Sequence, residues 1–339
     1  MVVNVDSVEG RAVTIRDVAA RAEVSVGTVS KALNGRGKLR PETRARVEHA
    51  ARELGFRPNV MAQGLLAGRT STIGLVTTDS RGRFRTPIML GVQDALASSQ
   101  ISVIVCDTRD DPIRERHHIQ TLLARRVDGI IVTGWRIEAR EPIDSPVPVV
   151  YAMTQSTNGS DFSVLPDDEH GAMLAIRHLV ATGRRRIGHI AGPDRFLVAH
   201  KRADASLRAL EENGLEVVGG SPLHGEWSED WGRQASDILL RADPDLDAIF
   251  CGSDQLARGA MDALRERGIA VPDRVAVIGF DNWIAMATAC RPQLTTIDMS
   301  LEDVGRVAGE HLLAAIDGTP LPEGLHQVPC RLIVRGSTG

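Results

Sequence analysis

The chain has 339 residues, 42% hydrophobic and 25% charged, with a formal net charge of −4. At ~100–200 residues per domain this is roughly two or three domains with a sizeable core. The composition excludes a disordered tail, a collagen or a disulfide scaffold for the bulk of the chain. The net charge hides an asymmetry: residues 11–69 carry 12 Lys+Arg against 5 Asp+Glu, a net of +7, while residues 70–339 carry 28 against 37, a net of −9. A basic module joined to an acidic one follows, and local charge, not the total, sets the field a polyanion meets.

Residues 1–12 read as a short flexible tail, without the basic start, apolar core and cleavage site of a signal peptide. Thr14 opens a helix as its cap, and Asp17 completes a capping box. Ile15, Val18, Ala19 and Ala22 form one apolar face of that helix. Glu23-Val24 makes a short turn, and Ser25 caps a second helix with Val26, Val29 and Leu33 on its inward face. A third helix starts at Pro41, where a missing amide costs nothing. Val47, Ala50, Ala51 and Leu54 line its inner face, and Gly55 ends it. Three short helices, the first two joined by a tight turn, are a helix-turn-helix pattern over residues 13–57, followed by a linker over 58–69.

From Ile73 the period changes. β-rich runs at Ile73–Thr77, Val103–Cys106, Gly129–Thr133, Val149–Ala152, Ile187–Ala191, Ala248–Cys251 and Val275–Phe280 alternate with helical patterns. The helices fall near 87–99, 114–125, 169–182, 201–213, 231–241, 255–267 and 301–316. Alternation of this kind makes residues 70–339 an α/β module with parallel sheets covered on both faces, long enough for two lobes. Ligands in such folds sit beyond the carboxyl ends of the strands. Cys106, Cys251, Cys290 and Cys330 lack the close spacing of a zinc or redox site and read as reduced thiols of a cytosolic protein. No apolar run is long enough to span a membrane, and no cofactor or metal is expected.

The second helix, Ser25–Leu33, is expected in the major groove of DNA with its N-terminus toward the bases. Val26 and Gly27 would meet base edges by methyl contact or close backbone approach, and Thr28, Ser30 and Lys31 supply the polar readout. Thr14, Ser25, Ser30 and Asn34 are expected to donate to phosphates.

Here the chain resembles a known family. Thr14-Ile15-Arg16-Asp17-Val18-Ala19 and Val24-Ser25-Val26-Gly27-Thr28-Val29-Ser30-Lys31-Ala32-Leu33-Asn34-Gly35 are similar to the N-terminal signature of LacI/GalR transcriptional regulators. The similarity continues through Arg57-Pro58-Asn59, Val127-Asp128-Gly129-Ile130-Ile131, Val277-Ile278-Gly279-Phe280-Asp281 and Leu294-Thr295-Thr296-Ile297, and so covers the chain from Thr14 to about Arg335. The resemblance implies an N-terminal all-α head on a two-lobed core similar to periplasmic sugar-binding proteins. It also implies a hinge helix at Asn59-Val60-Met61-Ala62-Gln63-Gly64-Leu65 that orders on the operator, with Asn59 and Ala62 at the DNA and Leu65 wedged into a central base step. Gly64 disfavours that helix away from DNA.

The resemblance further implies an effector pocket. Arg202 matches an arginine that binds ligand oxygens, Asp281 an acceptor for ligand hydroxyls, and Trp227 and Phe84 aromatic walls. Thr78, Asp79, Thr133 and Ser253 fall near matched strand ends. Met153 replaces a polar residue, Ser253 stands where Asn is common, Ala205-Ser206 replaces a glycine-aromatic pair, and Arg83 and Arg85 flank Phe84. These departures leave the particular sugar open, and the arginines open the door to an anionic ligand.

The implied function is a cytoplasmic repressor that binds a palindromic operator as a homodimer and is released by a carbohydrate-like effector, with corepressor-dependent or activating regulation as the alternative. The absence of an apolar heptad tail after Leu332-Ile333-Val334 implies a dimer. An enzyme is the first rival. Gly35-Arg36-Gly37 lacks the third glycine of a dinucleotide loop, no phosphate-loop motif occurs, and Asp167-Asp168-Glu169 reads as the first turn of a helix. A secreted solute-binding protein is the second rival, opposed by the helix-turn-helix.

Overall fold

The structure, a computed structural model, describes residues 13–33, 39–56 and 69–339. The expected tail, Asn34, and the hinge residues Asn59, Ala62 and Leu65 lie outside the described residues. The chain divides into two units, Met1–Thr70 and Ser71–Gly339.

The first unit holds α1 (Ile15–Arg21), α2 (Val26–Leu33) and α3 (Pro41–Glu53). Its capping box forms: the Thr14 amide and hydroxyl both donate to Asp17 Oδ2, at 2.8 and 2.7 Å. Glu23 turns the chain between α1 and α2 at φ +51°. Val18, Val29 and Val47 are fully buried where the three helices meet. The apolar periodicity of each helix thus closes a small common core, which short helices need because they are marginal alone.

The second unit runs β1 (Thr72–Thr77), α4 (Arg85–Ala95), β2 (Ser102–Asp107), α5 (Pro112–Ala124), β3 (Gly129–Thr133), β4 (Ala139–Arg140), β5 (Val149–Ala152), β6 (Gln155–Ser156) and β7 (Ser163–Asp167) through a first lobe. The second lobe follows with α6 (Asp168–Ala181), β8 (Ile187–Ala191), α7 (Leu197–Glu211), β9 (Leu223–His224), α8 (Glu229–Ala242), β10 (Ala248–Cys251), α9 (Asp254–Glu266), β11 (Ala276–Asp281), α10 (Ile284–Ala287) and β12 (Thr295–Asp298). The chain returns to the first lobe for α11 (Leu301–Ile316) and β13 (Leu325–Pro329), and to the second for β14 (Arg331–Ile333). The strand orders are β13-β7-β5-β3-β1-β2 and β14-β12-β11-β10-β8-β9. Pairing within both sheets is parallel except between β12 and β14. Central strands such as β3 and β10 are buried at every residue, which is why they read as continuous apolar runs.

The chain therefore passes between the lobes three times, at Asp167–Asp168, between Asp298 and Leu301, and between Pro329 and Arg331. The strands at these passages, β7, β12 and β13, carry no clear apolar run. β7 contains Pro166, β12 is threonine-rich, and β13 is a largely exposed edge. Among the described residues no helix is long and apolar enough to cross a membrane.

Each lobe is braced by a helix pair in backbone contact. A Cβ on Gly305 of α11 would lie 2.0 Å from the Ile88 carbonyl of α4, and one on Gly91 of α4 would lie 1.9 Å from the Glu302 carbonyl of α11. Because the obstacle is backbone, the helices must part to admit a methyl group. Gly305→Ala should lower the unfolding free energy by about 1–3 kcal/mol. Urea denaturation followed by circular dichroism measures this, and an unchanged midpoint would show that α4 and α11 separate at no cost.

Candidate functional site

In the head, α2 buries Val29 and Ala32 and leaves Ser25, Val26, Gly27 and Lys31 exposed, with Thr28 and Ser30 half-buried. Val26, read from sequence both as an inward residue and as a base contact, is 42% exposed, so it belongs to the outer face. Its apolar surface is unusual at the start of a solvated helix. A Cβ on Gly27 would meet nothing nearer than the Ser25 hydroxyl at 3.8 Å, so its glycine is not required by packing within the head. Ser25 Oγ accepts the Thr28 amide at 3.1 Å and lies 2.9 Å from Thr28 Oγ1, which makes it the helix cap. The Thr14 proton is directed at Asp17, so this hydroxyl is left as an acceptor and not as the phosphate donor expected of it.

In the second unit a cleft of about 1270 Å³ separates the lobes. Five of the chain's 11 aromatic residues line it: Phe84 and Trp135 from the first lobe, and Phe196, Trp227 and Trp283 from the second. Trp227 packs against the backbone at Gly192, just after β8, because that residue has no side chain; a Cβ there would sit 2.1 Å from the indole. Trp135 meets Phe196 edge-on at 5.7 Å, and the Arg136 guanidinium lies 4.1 Å from the Trp135 ring centre. Met153 adds apolar wall at φ +57°.

Arg202, on α7, is the polar centre of the cleft and is 4% exposed. Its Nε and Nη2 meet Asp168 Oδ1 at 2.8 and 2.6 Å, its Nη1 donates to the Gly252 carbonyl at 2.7 Å, and its Nη1 also lies 3.5 Å from Asp281 Oδ1. Nη2 reaches the Met299 sulfur at 3.3 Å, and the guanidinium lies 3.6 Å from the Phe280 ring centre. Burial works to lower the Arg202 pKa, and the Asp168 and Asp281 charges more than offset it, so the group stays charged. Burial pushes Asp168 upward against the pull of Arg202. Behind them His189 pairs with Ser206 at 2.8 Å, and burial pushes its pKa down to about 3, so no further cation crowds Arg202.

Asp281 ends β11 at φ +111°, followed by Asn282 at +49°. Two successive left-handed residues cost roughly 1–3 kcal/mol each. They are held by Asn282 Nδ2 donating to Asp298 at 3.1 Å and by Arg335 donating to Asn282 Oδ1 at 2.8 Å. The strained turn aims the Asp281 carboxylate across the cleft, where Arg83 of the first lobe pairs with Oδ2. Below it Asp254 is buried, accepting the Trp283 amide at 2.6 Å and the Thr296 hydroxyl. Burial, reinforced by the Asp281 charge, pushes its pKa up to about 8, so it is neutral over most of the physiological range.

The structure brings Thr78, Asp79, Phe84, Arg202, Trp227, Ser253 and Asp281 to the cleft wall. Asp79, however, accepts the amides of Gly82, Phe84 and Arg85 at 3.0, 2.7 and 2.9 Å, so its carboxylate shapes the loop entering α4. Ser253 caps α9 by accepting the Leu256 amide at 3.2 Å. Thr133 is buried behind the wall, its hydroxyl without a partner among the described residues. In the acidic cluster, Asp167 caps α6 as its sequence suggests, but Asp168 turns inward to Arg202. Sequence reasoning missed Asp168, Asp254, Trp135, Phe196 and Trp283. The scarcity of aromatics was the available signal, since three of the four tryptophans face one cleft.

These parts define a class: a helix-turn-helix head on the same chain as a two-lobed cleft of the periplasmic-binding type. Residues 14–59 match the family model described as bacterial regulatory proteins, lacI family, and residues 176–338 the model described as periplasmic binding protein-like domain. The chain is 33% identical over 330 residues to the catabolite control protein A of Priestia megaterium, spanning 96% of this chain and 99% of that protein. It is similar to the solved lac repressor dimer bound to operator and the anti-inducer ONPF, at 27% identity and a TM-score of 0.77 over 97% of this chain and 99% of that one. It is also similar to the complex of the transcriptional regulator CelR with cellobiose, at 30% identity and a TM-score of 0.65 over 96% and 99% of the two chains. The chain belongs to the lacI family of bacterial regulatory proteins.

Asp254 holds its proton more tightly folded than unfolded, so its stabilising contribution is full below the ordinary carboxylate value of 3.8 and is lost as the pH rises toward about 8. Asp254→Asn keeps the size and neutrality of the protonated acid. The native protein should lose stability relative to this variant by about 1.4 kcal/mol per pH unit between those limits. Denaturant unfolding of both proteins at about pH 5 and about pH 7 reads the difference, and a constant gap would contradict the neutral carboxyl.

Proposed function

We propose that this protein is a transcriptional repressor whose paired helix-turn-helix heads read a palindromic operator and whose cleft binds a small neutral carbohydrate that releases the DNA. Residues 13–57 serve as the head, 58–69 as the hinge and 70–339 as the sensor and dimerisation unit. The similar lac repressor is a dimer on its operator, and the similar regulator CelR is in complex with cellobiose, which supports both halves of the reading. The observation that carries it is the cleft. Aromatic plates suit the apolar faces of a sugar ring, and a few fixed polar groups suit its hydroxyls. Arg83 and Arg202, the two guanidinium groups at Asp281, face Asp281 and Asp168, so an anionic ligand finds neither of them unneutralised. That favours a neutral ligand over an anionic one.

On DNA, the exposed start of α2 is the reading surface, with Val26 and Gly27 approaching base edges and Ser25, Thr28, Ser30 and Lys31 around them. Recovery of bound DNA from a random pool should yield a palindrome, as twofold protein matches twofold DNA. The affinity for it should fall steeply with salt, with a log–log slope of magnitude at least about 6, through counterion release at the basic heads. Gly27→Ala, which is free of clashes inside the head, should weaken binding to that palindrome about tenfold while leaving the salt slope unchanged. Equal affinity of the variant would place the reading surface elsewhere, and recovery of no preferred sequence would overturn the regulator reading.

A further inference from the structure

Two guanidinium groups converge on Asp281, and they differ in what decides whether a buried cation can leave. Arg202 has a partner for Nε, Nη1 and Nη2, and its side chain is 5% exposed. Arg83 pairs through Nη2, but its Nε is buried without a partner among the described residues, and its side chain is 19% exposed. Arg83 also lies on the loop between β1 and α4 in the first lobe, whereas Asp281 ends β11 in the second. Its guanidinium is flanked by aromatic rings, with centres at 4.6 Å for Trp283 and 5.0 Å for Phe84. A flat, hydrogen-bonding group therefore already occupies the slot of ring faces and acceptor carboxylate that a sugar ring would use.

We propose that Arg83 is the resting occupant of the effector slot: it ties the first lobe to Asp281 in the absence of effector and must swing out before a ligand hydroxyl reaches that carboxylate. This rests on the cleft being the effector site. Both oxygens of Asp281 are engaged, Oδ2 by Arg83 and Oδ1 by Arg202, so a ligand competes for an acceptor already in use. An ion pair with one buried donor unmatched is close to balanced between Coulomb gain and desolvation, which makes it displaceable. The apparent affinity for effector is lowered by the fraction of molecules in which Arg83 sits in place.

The test uses the full chain and methylguanidinium chloride as the probe. Arg83→Ala vacates the slot, and Arg83→Gln replaces it should the truncated variant fail to fold. Methylguanidinium should then change tryptophan emission saturably, since Trp283 borders the slot. Methylammonium chloride at the same ionic strength should not, nor should methylguanidinium acting on native protein or on the Arg83→Ala, Asp281→Asn double variant. In parallel, neutral pentoses, hexoses and disaccharides are screened on native protein and variant. A sugar that binds native protein should bind Arg83→Ala about tenfold more tightly. A methylguanidinium response that is equal in native protein and variant, or absent from both, overturns the proposal whatever the sugars do. So does a sugar that binds the variant no better than native protein. A saturable response confined to the variant, with no sugar binding either protein, upholds the resident guanidinium and counts instead against the carbohydrate reading.

Discussion

One buried guanidinium joins the passages between the lobes. Arg202 reaches Asp168, the first residue after the first passage, and Met299, inside the second. Cys330, the single residue between β13 and β14, is close enough for the Arg202 charge to act on its thiol. The same side chain also holds Gly252 beyond β10 and touches Asp281 at the end of β11. Burying a charge this deeply is tolerable only with opposite charge and a full set of hydrogen bonds. The surrounding sequence supplies both, through Asp168 at the start of α6 and the carbonyl after β10. Any change in the angle between the lobes must pivot on the segments that Arg202 ties together.

That arrangement separates fixed from exchangeable electrostatics within one cleft. Arg202, Asp168 and the neutral Asp254 form a saturated base under the strained Asp281 turn. Above it, the groups that remain adjustable come from the first lobe, Arg83 on one side and Glu138 on the other. The Glu138 carboxylate accepts the amide of Leu197 at the N-terminus of α7, at 3.1 Å, with its second oxygen buried and unpartnered among the described residues. Cross-lobe contacts of incomplete satisfaction are the kind that a ligand can replace. A ligand shifts a conformational equilibrium only by its differential affinity for the two states. Replacing such contacts is one physical source of that difference, and the linkage that results is reciprocal between ligand and DNA.

Much of this architecture is legible in the sequence, because it depends on local periodicity. β3, β5, β8 and β10 begin and end where their apolar runs do, and α11 spans its predicted range. Beyond short pieces such as β4, β6, β9 and α10, the elements that escape are those at the passages, where Pro166, the threonines of β12 and the exposed edge of β13 break the pattern. The site divides in the same way. Arg202, Asp281, Trp227 and Phe84 are found by their motifs, since a motif fixes a strand end and the strand end fixes the wall. Their partners are not, because Asp168 lies 34 residues from Arg202 and Arg83 lies 198 from Asp281. No local rule pairs such residues before the sheets have formed. Asp79 and Ser253 show the converse: a matched position can be occupied by a side chain committed to backbone amides. Arg83, beside Phe84, suggests an anionic ligand only until the Asp281 carboxylate opposite it is seen.

The central claim is that the cleft of the second unit controls the DNA affinity of the first. Fluorescence anisotropy of the recovered palindrome at fixed salt, with and without a saturating sugar identified by its thermal stabilisation of the protein, measures it most directly. The account predicts that the sugar weakens operator binding at least about tenfold, a coupling of roughly 1.4 kcal/mol or more, and that operator DNA weakens sugar binding by the same factor. A sugar that stabilises the protein and leaves the operator affinity unchanged would contradict it.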